Sequence, residues 1–274
     1  MTAALALSRQ LGDLLEFSRI GFVNILAFRL RYYTGIVTYL INVTVYYFIW
    51  KALYATDPDF AAGFTFAEMV TYVSVGWVIR SVYFNNIDQN ISYEVMEGKI
   101  ALSLLKPVSV QSMQMGRALG ESAFRLVMLT IPAGIVISLV FPVQGPASAP
   151  HFGFFLISLA ASILLTGALN FIVGTFAIRM KSILGLLRAK YFVFELLSGL
   201  LVPMTMFPDT LQKIVAYLPF QHIAYTPLRL YLGKLNESEI YEALALQYLW
   251  IIALAVFGAW FWNLMVRKVT IHGG

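Results

Sequence analysis

Six stretches of this chain, at 34–54, 67–87, 115–141, 152–178, 190–207 and 246–266, read as crossings of a lipid bilayer. A helix through the hydrocarbon core needs about 20 mostly apolar residues. Inside lipid the backbone must satisfy its own hydrogen bonds, so such runs form helices rather than open strands. The expectation is therefore an all-α membrane protein, one transmembrane domain over 1–274 with six spanning helices. Composition agrees: only 12% of residues are charged, against roughly a quarter in soluble domains. The formal charge of +5 could suggest a nucleic-acid partner. The charges instead flank the apolar runs, which points to a bilayer and not to nucleic acid. Cysteine is absent, which excludes a disulfide framework, thiolate metal sites and a cysteine nucleophile. The opening MTAALALSRQ has no basic residue before its short apolar run, so no cleavable leader is expected.

Ahead of the first span, residues 10–32 carry Leu11, Leu15, Phe22, Ile25 and Phe28 near helical spacing, with Asp13, Glu16, Arg19 and Arg31 on other faces. That pattern suits a helix lying in the membrane interface. Arg29 and Arg31 interrupt the apolar run and argue against a long first span. In a six-span chain, Arg9, Arg19, Arg29, Arg31, Lys99, Lys106, Arg117, Arg179, Lys181, Arg188, Lys190, Arg267 and Lys268 share one side. The other side receives Lys213, Arg229 and Lys234, with Lys51 near a span end. Basic residues accumulate on the cytoplasmic side, which puts both termini inside the cell.

Two connections are more than turns. In 88–106, after the second run, Ile91, Val95, Leu102 and Leu105 continue a stripe begun by Ile87, with Gly98 as a break and Pro107 as a stop. An amphipathic helix outside the bilayer must cover its apolar face with the membrane surface or with a partner protein. In 208–233, Pro208, Pro219 and Pro227 cut an apolar stretch into pieces too short to span. These read as re-entrant or interfacial helices on the outer side.

The phosphate-cradling loop of a nucleotide hydrolase requires an upstream glycine and a hydroxyl after its lysine. Neither EGKIA at Gly98 nor LGKLN at Gly233 has them, so ATP is not expected to bind here by that motif. His151, His222 and His272 stand apart from one another and from paired carboxylates, which argues against zinc. Ser198 near His222 is a weak match to an intramembrane serine protease, small residues more often serving helix packing. What remains is a set of ionisable residues, Arg80, Glu121, Arg125 and Glu195. Residue counts place them at similar depth, on the order of 10 Å inside the cytoplasmic face. Charges so placed pair with one another or line a polar path. Two readings stand: a static ion-pair lock, or a cytoplasmic-side access path.

EVMEGKIALSLLKPVS, LVPMTMFPDTLQKIVAYLPFQHIAYTPLRLYLG and the terminal WFWNLMVRKVTIHGG together resemble the permease subunits of type 2 ABC exporters, notably a small bacterial six-span branch. The first segment matches through Glu97, Gly98, Lys99, Leu104, Leu105 and Pro107, with Met96 where the branch usually has Arg. The second matches through Leu201, Pro203, Phe207, Pro208, Leu211, Gln212, Leu218, Pro219 and Phe220. The resemblance implies a permease in a bacterial inner membrane, paired with a second copy or a related permease. Two copies of a separate ATP-binding-cassette subunit would bind ATP and Mg, with no cofactor on this chain and no catalysis by it. It also implies that 88–106 is a coupling helix contacting that subunit through Ile91, Val95, Met96, Glu97, Gly98, Lys99, Leu102 and Leu105. The substrate would move from the cytoplasm or inner leaflet outward, and no residue selects among the amphipathic drugs, lipids, peptides and polymers that relatives carry. The alternatives are a secondary transporter, which favours broken helices in both halves, and a membrane-embedded lipid enzyme, which needs a dense polar or metal-ligating cluster.

Overall fold

The computed structural model describes residues 2–26, 30–58, 60, 63–180 and 183–267, with the helical backbone alone for 2–11 and 30–33. Expectations that rest on the side chains of Arg9, Phe28, Arg29, Arg31, Lys181, Lys268 and His272 lie outside the described residues.

The described chain is helical throughout. It runs α1 (Thr2–Leu26), α2 (Leu30–Thr56), α3 (Phe66–Tyr83), α4 (Ile87–Met96), α5 (Ile100–Leu104), α6 (Val110–Arg125), α7 (Ile131–Val140), α8 (Ala149–Thr175), α9 (Leu184–Leu197), α10 (Asp209–Ala216), α11 (Tyr225–Tyr231) and α12 (Glu237–Val266). Caps set several of the starts. Thr65 with Glu68 and Asn236 with Glu239 form reciprocal capping boxes that open α3 and α12. The Ser148 hydroxyl accepts from the backbone of His151 at the start of α8. A π turn over Leu126–Thr130 joins α6 to α7, and Pro132 explains it, since a proline inside a helix removes one backbone donor. The Thr130 hydroxyl donates to the Arg125 carbonyl at 3.1 Å across this turn.

Four helices among the described residues are long and apolar enough to cross a membrane: Thr34–Thr56, Val110–Val140, Ala149–Ile178 and Glu237–Val266. The expectation of six spans is therefore corrected to four. The two lost runs have distinct reasons. The run at 67–87 becomes α3, which is 18 residues long and carries Glu68 and Arg80. Most of its length, including Met69, Tyr72, Val73 and Val82, is buried in protein, so its apolar residues answer to neighbouring helices rather than to lipid. The run at 190–207 becomes α9, only 14 residues long, which carries Arg188, Lys190 and Glu195. It stops where Gly199 turns at φ +76°, a conformation that a side chain would strain.

The expected re-entrant helices at 208–233 are also not identified. The segment forms α10, a 3-10 turn at Pro219–His222 and α11, with α11 packed against α8. The Ser162 hydroxyl of α8 and the Gln247 amide of α12 both donate to the His222 carbonyl, at 3.2 and 2.8 Å. Ile223, Leu228 and Leu230 are buried in the main core. The apolarity of this stretch reflects packing against protein, which hydropathy alone does not separate from contact with lipid.

The most extensive helix pair is α1 with α6. Leu14 and Phe17 lie against Gly116, and Phe22 meets Phe124 edge-on at 5.3 Å, so the two helices run in the same direction. The contact is backbone to backbone. A Cβ on Gly120 would stand 1.8 Å from the Ser18 carbonyl oxygen, and one on Gly21 would stand 2.3 Å from that of Arg117. The Ser18 hydroxyl donates to the Gly116 carbonyl at 2.9 Å. Gly116 and Gly120 form the small-xxx-small pattern that lets helices approach closely in membranes.

Gly120→Val should separate α1 from α6 and lower stability by at least about 1–3 kcal/mol, as overpacking does. Thermal unfolding of the purified permease, read by fluorescence-detected gel filtration, checks this. Gly12→Ala, within α1 with nothing within 4 Å of a Cβ, should leave the midpoint unchanged or raise it slightly.

Candidate functional site

The helices bring two regions together around α4. The first is a knot of charge where α3 ends and α4 begins. Asp88 and Lys190, 102 residues apart, form an ion pair whose side chains are 0% and 3% exposed. The Lys190 ammonium also donates to Asn170 of α8 at 2.9 Å, and the Asn170 amide donates to the side-chain and backbone oxygens of Asn85 at 2.9 and 3.0 Å. Lys190 lies over the Tyr191 ring at 4.3 Å, within reach of a cation–π contact. Each charge of the pair is thereby met by other polar groups.

The four intramembrane residues expected from the sequence surround the same place as two pairs. Arg80 bonds Glu195, tying α3 to α9. Arg125 bonds Glu121 one turn earlier on α6, at 3.0 Å, and donates to the Phe84 carbonyl. Both guanidinium groups lie over the Phe84 ring, at 5.0 and 5.7 Å, and Phe84 stacks on Tyr191. Arg80, Glu121 and Arg125 also line an open groove of about 760 Å³, with Thr38 and Asn42 of α2 and Asn90 of α4 on its walls. Glu195 instead lines a separate cavity of about 40 Å³ between α3, α8 and α9.

The second region is the connection 88–106. It folds as two helices, with Glu97, Gly98 and Lys99 between them and Gly98 at φ +71°. The stripe read from the sequence does not face one way. Ile91 is 0% exposed and packs with Ile87, Ile100, Met113 and Phe171, while Val95 is half-buried against the same cluster. Met96, Leu102 and Leu105 point out, at 58%, 65% and 81% exposure, beside exposed Tyr93 and Leu104. Glu97 and Lys99 pair at 2.6 Å on the surface, and that hydrogen bond raises the Lys99 ammonium above its ordinary range. One end of the bundle thus carries an apolar knob with a charged crest. It stands on a base of buried isoleucines.

Two features escaped the sequence reading. Nothing local in the sequence marks Asp88 and Lys190, so far apart in the chain, as a pair. Gly116 and Gly120, by contrast, stand four apart in plain view.

Four long apolar helices and a cluster of paired charges define a multi-pass membrane component. Among the described residues no group of three or more His, Asp and Glu could hold a metal ion. The chain belongs to the family described as ABC-2 family transporter protein, whose sequence profile matches residues 40–273. It is a permease of that family, a non-catalytic part of a transport system. A comparison with curated proteins found no match.

Asp88→Asn should leave the Lys190 ammonium buried without its counter-charge, a loss of roughly 3–5 kcal/mol in comparable buried pairs. The expected result is a lower unfolding midpoint and poor folded yield. Asp88→Asn combined with Lys190→Met should recover much of the midpoint, and a double-mutant cycle in detergent measures the coupling directly.

Proposed function

We propose that this chain is the permease subunit of an ATP-driven exporter in a bacterial inner membrane. It works as a pair with a second copy or a related permease, on two copies of a separate ATP-binding subunit. The observation that carries the reading is the exposed knob of Tyr93, Met96, Leu102, Leu104 and Leu105. Burying one large aliphatic side chain yields about 1.5–3 kcal/mol, so a knob of this composition can dock firmly into a groove on a partner. Family membership supports an ATP-binding subunit as that partner. In this reading the knob faces the cytoplasm, where the ATP-binding subunit resides. The groove beside Arg80, Glu121 and Arg125 suits an access path for the polar part of an amphipathic substrate moving outward. In that case the ion pairs hold its floor, and the lock and the path are two aspects of one structure.

Because Ile91 and Val95 belong to the base, docking is tested at the knob. Leu102→Glu and Leu105→Glu should each release the ATP-binding subunit from the detergent-purified complex while the permease stays monodisperse. Normal co-purification of both variants would remove this surface as the contact. Orientation is tested separately in the cysteine-free chain. A cysteine at Lys99 should react with an impermeant thiol reagent only after lysis. Labelling of Lys99→Cys on intact cells would remove the knob from the cytoplasmic side.

A further inference from the structure

We infer that Glu94 is a positioning residue that locks the α4–α5 knob to the spanning helix α6–α7, so that the three move as one body. The inference rests on the reading that a partner pushes on this knob. Glu94 is on α4, four residues after Asn90 of the groove wall and two before exposed Met96. Its carboxylate is mostly buried, and three donors from two other helices converge on it. The Ser103 hydroxyl of α5 donates to Oε2 at 2.8 Å. The Gln114 amide and the Arg117 guanidinium of α6 donate to Oε1 at 3.1 and 3.3 Å. Each oxygen of one carboxylate thus serves a different helix.

The surroundings make this junction decisive. α5 has five residues, far below the ~12 residues at which a helix begins to persist by itself in water. Outside that carboxylate, it is fastened mainly by Ile100 in the isoleucine base. α6, by contrast, continues into the span Val110–Val140 and is gripped along its length by α1. A force on Leu102 or Leu105 would tilt α5 alone unless something stiff joined it to α6. Glu94 is placed to be that joint, because a carboxylate accepting charge-assisted bonds on both oxygens resists rotation more than an apolar contact does. Leu102 would then read as a lever arm and Glu94 as its pin.

The permease by itself tests the pin. Spin labels at Leu104→Cys on α5 and Val127→Cys in the span should give a narrow distance distribution. Glu94→Ala should broaden it, and so should Ser103→Ala, which leaves the bonds to α6 intact. Glu94→Gln should restore a narrow distribution, since its amide can donate to the Ser103 hydroxyl and still accept from Gln114. In the complex, labels at the exposed positions Leu139 and Val256 report motion between two spans. Their distance should shift with ATP and vanadate in the parent and in Glu94→Gln. In Glu94→Ala the shift should be lost while the ATP-binding subunit still co-purifies and hydrolyses ATP. An unbroadened distribution in Glu94→Ala, a preserved shift, or loss of the subunit would each overturn the inference. If the parent itself shows no ATP-driven shift, the proposed function falls, and the label widths in the isolated permease still decide whether Glu94 is the pin.

Discussion

A charge buried away from water has only the protein to compensate it, and that constraint gathers five helices of this permease at one point. Arg80 of α3, Asp88 of α4, Glu121 and Arg125 of α6, and Lys190 and Glu195 of α9 resolve into three pairs, with Asn170 of α8 bracing one of them. Each pair joins a cation to an anion, so the cluster is neutral as a whole. Removing α3, α4 or α9 would strand the charge of its partner, which fixes α3 and α9, two elements too polar or too short to span, within the bundle. Phe84 helps in a second way, since both guanidinium groups rest on its ring and its carbonyl accepts from Arg125. The groove beside α2 lies against this neutral floor, and hydroxyl and amide side chains make up much of its walls.

A second constraint acts where charge cannot. Two helices in lipid gain little from merely excluding water, so close packing must supply the association. The α1–α6 contact meets this with Gly21, Gly116 and Gly120, which bring backbone against backbone. The result is a stiff double rod at the foot of one span. Above it the helix changes register through the π turn at Leu126–Thr130, where the Thr130 hydroxyl meets that of Ser81 at 2.6 Å. Such turns recur at functional positions within helices. Here the turn separates the half of the span bound to α1 from the half that packs on α2.

Much of this was legible in the sequence, and the failures share a cause. Long apolar runs identified α2, α6–α7, α8 and α12, because a lipid-facing helix must be apolar over most of its surface. The same signal over-read 67–87 and 190–207, since burial in protein and burial in lipid both favour residues such as Val73 and Leu197. At 88–106 the chain turns at Gly98, the break expected there, and a stripe carried across that turn no longer keeps one face. Ile91 consequently faces the core and Leu102 the outside. Arg80, Glu121, Arg125 and Glu195 stood out as ionisable residues within apolar runs, and the structure gathers them. Asp88 did not stand out, because it occupies a polar stretch whose burial is decided by α8 and α9.

That division bears on how a short loop can carry force. The exposed side chains of the knob belong to elements that have little stability of their own, and segments that move in regulation are drawn from the least stable parts of a fold. A compliant surface suits docking, because it can adapt to a partner. Compliance also dissipates a push. Transmission therefore requires that the knob be soft at its tip and stiff at its root, and the arrangement around α4 has this gradient. Leu105 and Met96 are exposed at the tip, Glu94 binds both neighbouring helices one turn in, and Ile91 and Asp88 are buried beneath. Asp88 in turn holds Lys190 of α9. A displacement of α4 would thus be felt at once by the span that begins with α6 and by the ion pairs that form the floor of the groove.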